Sequence, residues 1–190
     1  MQHRVPPSLP PPAGLVLAGG RSTRFGSDKA LALVDGRPMI QRVYHAVAAL
    51  ADPVFVSVGE SHTTYDLPAR HIVDRYPGRG PLAGIHAGLL ASPAEWLLVA
   101  PCDMPFLDTN SLKKLLKART ADYDAVIAVN AEGLATPVLG LYHRRCLARI
   151  EARLALGELA LQGLLDQLEI VKVRIDAEAL RNVNAPEAIG

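Results

Sequence analysis

Trp96-Leu97-Leu98-Val99-Ala100 is a continuous apolar run of strand length. A strand that faced water on one side would alternate, so this run predicts a strand covered on both faces. Such a strand needs a layer of structure above it and another below. The rest of the chain supplies pieces for both layers. Leu15–Ala18, Val54–Val58, Ile72–Val73, Ala125–Val129, Pro137–Tyr142 and Ile170–Ile175 read as further strands. Between them, Ile40, Val43, Tyr44, Val47 and Leu50 recur at helical spacing, which predicts an amphipathic helix over Met39–Ala51 with Pro38 at its start. Leu82, Ile85, Leu89 and Leu90 mark another helix, and Asp108–Ser111 offers capping residues for a third at Leu112–Ala118. Arg144–Ala155 and Glu158–Leu168 read as helical, and Ala177–Leu180 as a helical turn. Alternation of this kind predicts an α/β fold, a three-layer α/β/α sandwich around a largely parallel sheet.

In such sheets ligands sit beyond the carboxyl ends of the strands, and two segments of interest fall there. The first is Leu17-Ala18-Gly19-Gly20-Arg21-Ser22-Thr23-Arg24-Phe25-Gly26-Ser27-Asp28-Lys29. A strand ends in two glycines, which keep no side chain between backbone N–H groups and an anion. Arg24 and Lys29 are then placed to neutralise phosphate charge, with Arg21 a weaker candidate that fits a solvated surface as well. The spacing is neither G-x-x-x-x-G-K-[ST] nor G-x-G-x-x-G. Read from its residues alone, the loop fits a phosphate site and a plain turn equally. The second segment is Pro101-Cys102-Asp103-Met104-Pro105-Phe106. Asp103 there is a hard carboxylate at a strand end, suited to Mg2+, which takes one or two protein oxygens together with substrate phosphates. A cap or a surface ion pair would explain Asp103 by itself; the Gly-Gly loop at the same predicted edge favours the metal. Lys29 similarly has a surface pair with Asp28 as its plain alternative.

Composition narrows the class. At 190 residues with a formal net charge of +1, the chain has length for one domain with a substantial core and no global field toward nucleic acid or membrane. No apolar stretch approaches the ~20 residues of a membrane span. The N-terminal stretch, with Pro6, Pro7, Pro10, Pro11 and Pro12, reads as a disordered tail over residues 1–13, with one domain over residues 14–190. Cys102 and Cys146 have no zinc-like spacing and read as buried thiols in a cytoplasmic protein. The histidines show no ligand spacing, and His86 reads as a packing or surface residue.

Four motifs carry a resemblance. Residues 17–30 resemble the signature of the MobA-like nucleotidyltransferases, the family that includes molybdenum cofactor guanylyltransferase, and Gly36-Arg37-Pro38-Met39-Ile40 continues it. Gly80-Pro81-Leu82-Ala83-Gly84 is similar to the family's second signature, the Asp103 segment to its metal motif, and Asn182-Val183-Asn184-Ala185-Pro186-Glu187 to its C-terminal segment. Together they span about residues 14–189. The resemblance implies a Rossmann-like, mostly parallel mixed sheet of the nucleotide-diphospho-sugar transferase type. It implies transfer of GMP from GTP to the phosphate of molybdopterin, with pyrophosphate leaving.

Roles follow from the resemblance. Leu17, Ala18, Gly19 and Gly20 would present backbone to the nucleotide. Arg24 and Lys29 would neutralise the β- and γ-phosphates, and Asp103 would hold Mg2+. Asp74 would lie near the ribose, while Pro81, Leu82 and Gly84 would approach the base or ribose. Asn184 would be a second metal ligand, a turn role fitting it equally. Partners would be GTP and molybdopterin, with transient contacts to cofactor-insertion proteins or molybdoenzymes.

The sequence departs from the family pattern in two places. An asparagine expected near the end of Val54–Val58 is replaced by the candidates Ser57 and Gly59. The stretch Gly157-Glu158-Leu159-Ala160-Leu161-Gln162 lacks arginines that would serve the acidic pterin. Arg144, Arg145 and Arg149 are the possible substitutes, against a solvated helix face. The competing readings are a CTP-dependent cytidylyltransferase for the same pterin, another small-phosphate nucleotidyltransferase, a nucleotide-binding regulator without catalysis, and a protein-interaction module.

Overall fold

A computed structural model of the protein describes residues 9–19, 28–59 and 64–183. Arg21, Arg24, Gly20 and Asn184 lie outside them. Among the described residues, seven strands form one sheet in the order β5-β4-β1-β6-β8-β7-β9. These are β1 (Ala13–Leu17), β4 (Val54–Ser57), β5 (Arg70–Ile72), β6 (Trp96–Pro101), β7 (Ala125–Val129), β8 (Ala135–His143) and β9 (Ile170–Arg174). The remaining two, β2 (Leu33–Val34) and β3 (Arg37–Pro38), form a small separate hairpin. Strand β8 runs antiparallel to β6 and to β7, and the other pairings in the large sheet are parallel. The expected mixed, mostly parallel sheet is therefore observed.

The layers explain the apolar run that predicted them. Leu98 and Ala100 of β6 pack on one face with Val16, Val56 and Leu141, under α1 (Met39–Ala48) and α3 (Thr109–Lys117). Leu97 and Val99 pack on the other with Leu15, Phe55 and Tyr142, under α2 (Gly80–Ala91), α4 (Leu147–Leu156) and α5 (Leu161–Leu165). Side chains alternate between faces along a strand, so a strand sandwiched in this way is apolar at every position. Helix α3 starts where Asp108 accepts from the Ser111 amide at 2.7 Å, and α4 stops at Gly157, whose φ of 75° is left-handed.

Element ends differ from expectation in explicable ways. The Met39–Ala51 helix stops at Ala48, since Asp52-Pro53 must turn the chain into β4. The two C-terminal helical stretches are shorter than predicted, Arg144–Cys146 being a 3-10 turn ahead of α4. The body also begins earlier than residue 14. Ala13 is buried in β1, the Pro12 carbonyl accepts from the Asp52 amide, and the Pro10 carbonyl accepts from Arg119.

Order reversal fixes where a ligand can lie. From β1 the chain moves outward through β4 to β5, then returns through α2 to β6 on the other flank of β1. The carboxyl ends of β1 and β6 thus border the crevice at the switch point.

Candidate active site

A pocket of about 220 Å³ opens at that crevice, lined by Leu17, Ala18 and Gly19 after β1, Pro101, Cys102 and Asp103 after β6, and Lys29, Ala30, Pro81, Val138 and Asn182. Its two walls are stitched together where the Cys102 amide donates to the Leu17 carbonyl at 3.0 Å. The Ala18 amide donates to the Ser57 carbonyl, so Ala18 reaches the pocket with its N–H already satisfied by the sheet. Gly19 is obligatory for a different reason than phosphate contact. A Cβ there would lie 2.6 Å from the Gly59 backbone nitrogen, so the loops after β1 and β4 touch through bare backbone.

Lys29 sits on a 3-10 turn, Lys29–Leu31, and its Nζ lies 2.9 Å from Asp103 Oδ2. Both side chains are part-buried, at 17% and 28% exposed, so each is shielded yet reachable from the pocket. The Lys29–Asp28 pair weighed from the sequence does not form. Asp28 instead caps the turn through the Ala30 amide at 3.0 Å and accepts from the Tyr65 hydroxyl at 2.8 Å. Burial pushes the adjacent Cys102 thiol up to about 12, so at neutral pH it is a protonated lining group and not a nucleophile.

Helix α2 reaches this edge because glycine lets it lie close. A Cβ on Gly84 would come within 2.7 Å of Leu17 and 2.9 Å of the Ser57 hydroxyl, and one on Gly88 within 2.8 Å of Leu15 and Leu97. That approach brings Pro81, at the first turn of α2, into the pocket wall. Leu82 is fully buried in the core beneath α2, so its side chain supports the site from behind.

Ser57 is buried too, and its hydroxyl donates to Asp74 Oδ1 at 2.8 Å. Its hydroxyl therefore orients Asp74. Burial raises the Asp74 carboxyl above its ordinary value, offset in part by the Ser57 hydroxyl and by His86. His86 itself is buried, paired with Glu151 at 3.2 Å and set edge-on to Tyr76. Of the packing and surface roles weighed for it, its burial selects packing.

The three arginines weighed as acceptor contacts are in the wrong place. Trp96 pairs with His143, so residues 143–149 begin at the amino end of β6, across the sheet from the pocket. There Arg144 donates to the Ser92 carbonyl, Arg145 to Asp124 at 2.8 Å, and Arg149 lies 3.8 Å from Asp124. Arg79 immediately precedes α2, and its guanidinium lies 3.3 Å from where a Gly157 Cβ would be, so it borders the Gly157–Gln162 stretch.

The C-terminal segment is clamped across the metal-motif loop. The Val183 amide donates to the Asp103 carbonyl at 2.9 Å, the Arg181 guanidinium stacks 3.7 Å over the Phe106 ring, and Arg42 donates to the Pro105 carbonyl at 2.9 Å. Asn182 thereby lines the pocket, a residue of the C-terminal motif that no local signal marks as a site residue.

Against this geometry, the MobA-like NTP transferase domain family matches residues 14–172. The chain belongs to that family. A probable molybdenum cofactor guanylyltransferase from Geobacillus sp. is 33% identical over 92% of this chain and 94% of its own length. The molybdenum cofactor guanylyltransferase of Pseudomonas putida is 33% identical over 97% and 99%. Among solved structures, molybdopterin-guanine dinucleotide biosynthesis protein A from Archaeoglobus fulgidus superposes with a TM-score of 0.78 at 24% identity, over 93% of this chain and 94% of that one. The last comparison speaks to the fold. The pocket between β1 and β6 thus belongs to a chain of the NTP transferase family, and among its described lining residues Lys29 and Asp103 are the charged pair.

Proposed function

We propose that this protein transfers GMP from GTP onto the phosphate of molybdopterin, forming the guanine dinucleotide cofactor and releasing pyrophosphate. The observation that carries the reading is the meeting of Lys29 and Asp103 at 2.9 Å in the switch-point pocket, in a chain whose relatives of this length bear that name.

The reaction is attack by a phosphate oxygen on the α-phosphorus of GTP. That oxygen is already anionic, so no strong general base is required. The barrier lies in bringing anions together and in carrying charge onto the leaving pyrophosphate, so positioning and electrostatics dominate. Lys29 answers both demands. An ammonium has three N–H donors, so it can hold Asp103 and turn another donor to a phosphate oxygen. Its partial burial strengthens that contact relative to water. Asp74, fixed by Ser57, offers a carboxylate to nucleotide hydroxyl or amine donors. Leu17, Gly19 and Pro81 form the close wall against which the nucleoside lies.

Asp103 also fits Mg2+. Among the described residues no three His, Cys, Asp or Glu side chains cluster as a closed protein cage, and a single pocket carboxylate suits an ion that draws its other oxygens from phosphate and water. Bound there, with Asn184 as a candidate second ligand, Mg2+ would neutralise charge on the triphosphate. Asp103→Asn is accordingly expected to weaken Mg2+ activation in a magnesium titration of turnover. A titration curve identical to that of the natural protein would remove Asp103 from the metal role.

The reading predicts pyrophosphate release from GTP that depends on molybdopterin. Assaying each of the four NTPs with and without molybdopterin tests it. Release from CTP alone would make the protein a cytidylyltransferase, and GTP binding with no turnover would favour a regulator. Cofactor-insertion proteins or molybdoenzymes are the expected recipients of the product, in a cytoplasmic setting. Among the described residues no helix is long and apolar enough to cross a membrane.

A further inference from the structure

The turn that carries Lys29 is three residues long and cannot hold itself. A turn this short fixes several dihedrals for very few hydrogen bonds, so its orientation must come from outside. Ala30 supplies part, being buried in the core near Ile40 and Val43. The Ala32 carbonyl accepts from the Met39 amide at 2.9 Å, and a further part converges on Asp28. One of its oxygens accepts from the Ala30 amide at 3.0 Å and the other from the Tyr65 hydroxyl at 2.8 Å.

Tyr65 is itself held. It is 6% exposed, its amide donates to His71 Nε2 at 3.0 Å, and its ring stacks on the His71 ring at a centroid distance of 5.9 Å. His71 lies on β5, the edge strand of the large sheet. A continuous set of contacts thus runs from the sheet edge through His71, Tyr65 and Asp28 to the turn, and from the turn through Lys29 to Asp103. Each link is a directional hydrogen bond, an ion pair or a ring stack.

We infer that Tyr65 is a positioning residue for nucleotide binding: through its hydroxyl and Asp28 it sets the turn that aims the Lys29 ammonium into the pocket. Tyr65 does not itself line the pocket; its hydroxyl reaches the lining through Asp28 and the turn. Burial and the Asp28 carboxylate both raise the Tyr65 phenol above its ordinary value, so it remains a donor throughout the range in which the protein would work. The inference rests on the reading that Lys29 contacts the nucleotide.

A double-mutant cycle separates the two. GTP affinity is measured by titration calorimetry with Mg2+ on the full chain, for the natural protein, Tyr65→Phe, Lys29→Ala and the double variant, with thermal melting of each. Tyr65→Phe is expected to weaken GTP binding about fivefold, a part of what one hydrogen bond to a charged group contributes, because the effect reaches the nucleotide only through the turn. In the Lys29→Ala background it is expected to change nothing, because the group it aims is gone. Asp28→Asn, which keeps a cap oxygen for Ala30 but removes the carboxylate that Tyr65 holds, should repeat that pattern. Natural affinity in Tyr65→Phe overturns the inference, and so does an equal loss in both backgrounds, which would make the effect general to the fold. Natural affinity in Lys29→Ala would instead overturn the nucleotide role of Lys29, and the positioning role with it.

Discussion

A lysine ammonium held 2.9 Å from a carboxylate 74 positions away in sequence is a poor device for stability, since part-exposed ion pairs contribute little. It is a good device for function, because each partner holds the other oriented beside a cavity. Both residues were legible in the sequence, each following a strand in a segment whose chemistry made sense only with an anion nearby. Their supports were not. Ser57 could be read as a nucleotide contact because hydroxyls serve either purpose. Only the 2.8 Å bond to Asp74 shows that it faces inward. Asp74 also carries a measurable cost. Its folded-state carboxyl titrates above the ordinary value of 3.8, so the fold disfavours the charged form. The penalty is present at neutral pH and disappears as pH falls below the unfolded value. Asp74→Asn, whose side-chain oxygen can still accept from Ser57, should therefore raise the melting temperature at pH 7. The gain should shrink toward zero as pH approaches 4. A gain of equal size at both pH values would assign it to something other than the buried charge.

The elements carry the site by the way they approach one another. Gly84 and Gly88 allow α2 to lie against β1, which is why the second signature belongs to the pocket although most of its side chains point into the core. That geometry was not readable from Gly80–Gly84 as a loop motif, because close packing of a helix on a sheet has no signature of its own. The β2–β3 hairpin was missed for a similar reason. Its strands are two residues long, and only Asp35 and Gly36 at φ 48° and 73° mark the turn. Arg144, Arg145 and Arg149, weighed as acceptor contacts against a solvated helix face, lie away from the pocket, since residues 143–149 begin at the amino end of β6. The C-terminal segment, by contrast, is held by contacts no periodicity announces: Arg181 on Phe106, and Val183 on Asp103. Phe106→Ala should loosen it. Losing a surface cation–π contact of ~1 kcal/mol corresponds to about fivefold faster amide hydrogen exchange at Val183. Unchanged exchange there would mean that Val183, buried against Val34 and Met39, holds the segment without the stack.

The molecule as a whole is a sheet whose strand order reverses beside β1, and the pocket lies at the reversal. This much followed from the sequence, because strands sandwiched by helices leave apolar runs and glycine-rich exits that can be read in order. The antiparallel β8, inserted between β6 and β7, was not assigned a direction by any local pattern, yet it contributes Val138 to the pocket wall. Family membership and relatives of matching length then name a reaction that the pocket can perform with Lys29 opposite Asp103. The most direct test of that account is the rate of GMP transfer from GTP to molybdopterin by Lys29→Ala, with melting measured alongside. The account predicts a loss of about 100-fold or more, the scale of removing a preorganised charge from a phosphoryl-type transition state, with the melting temperature essentially kept. A rate within a factor of about two of the natural protein, in a variant that melts normally, would contradict it.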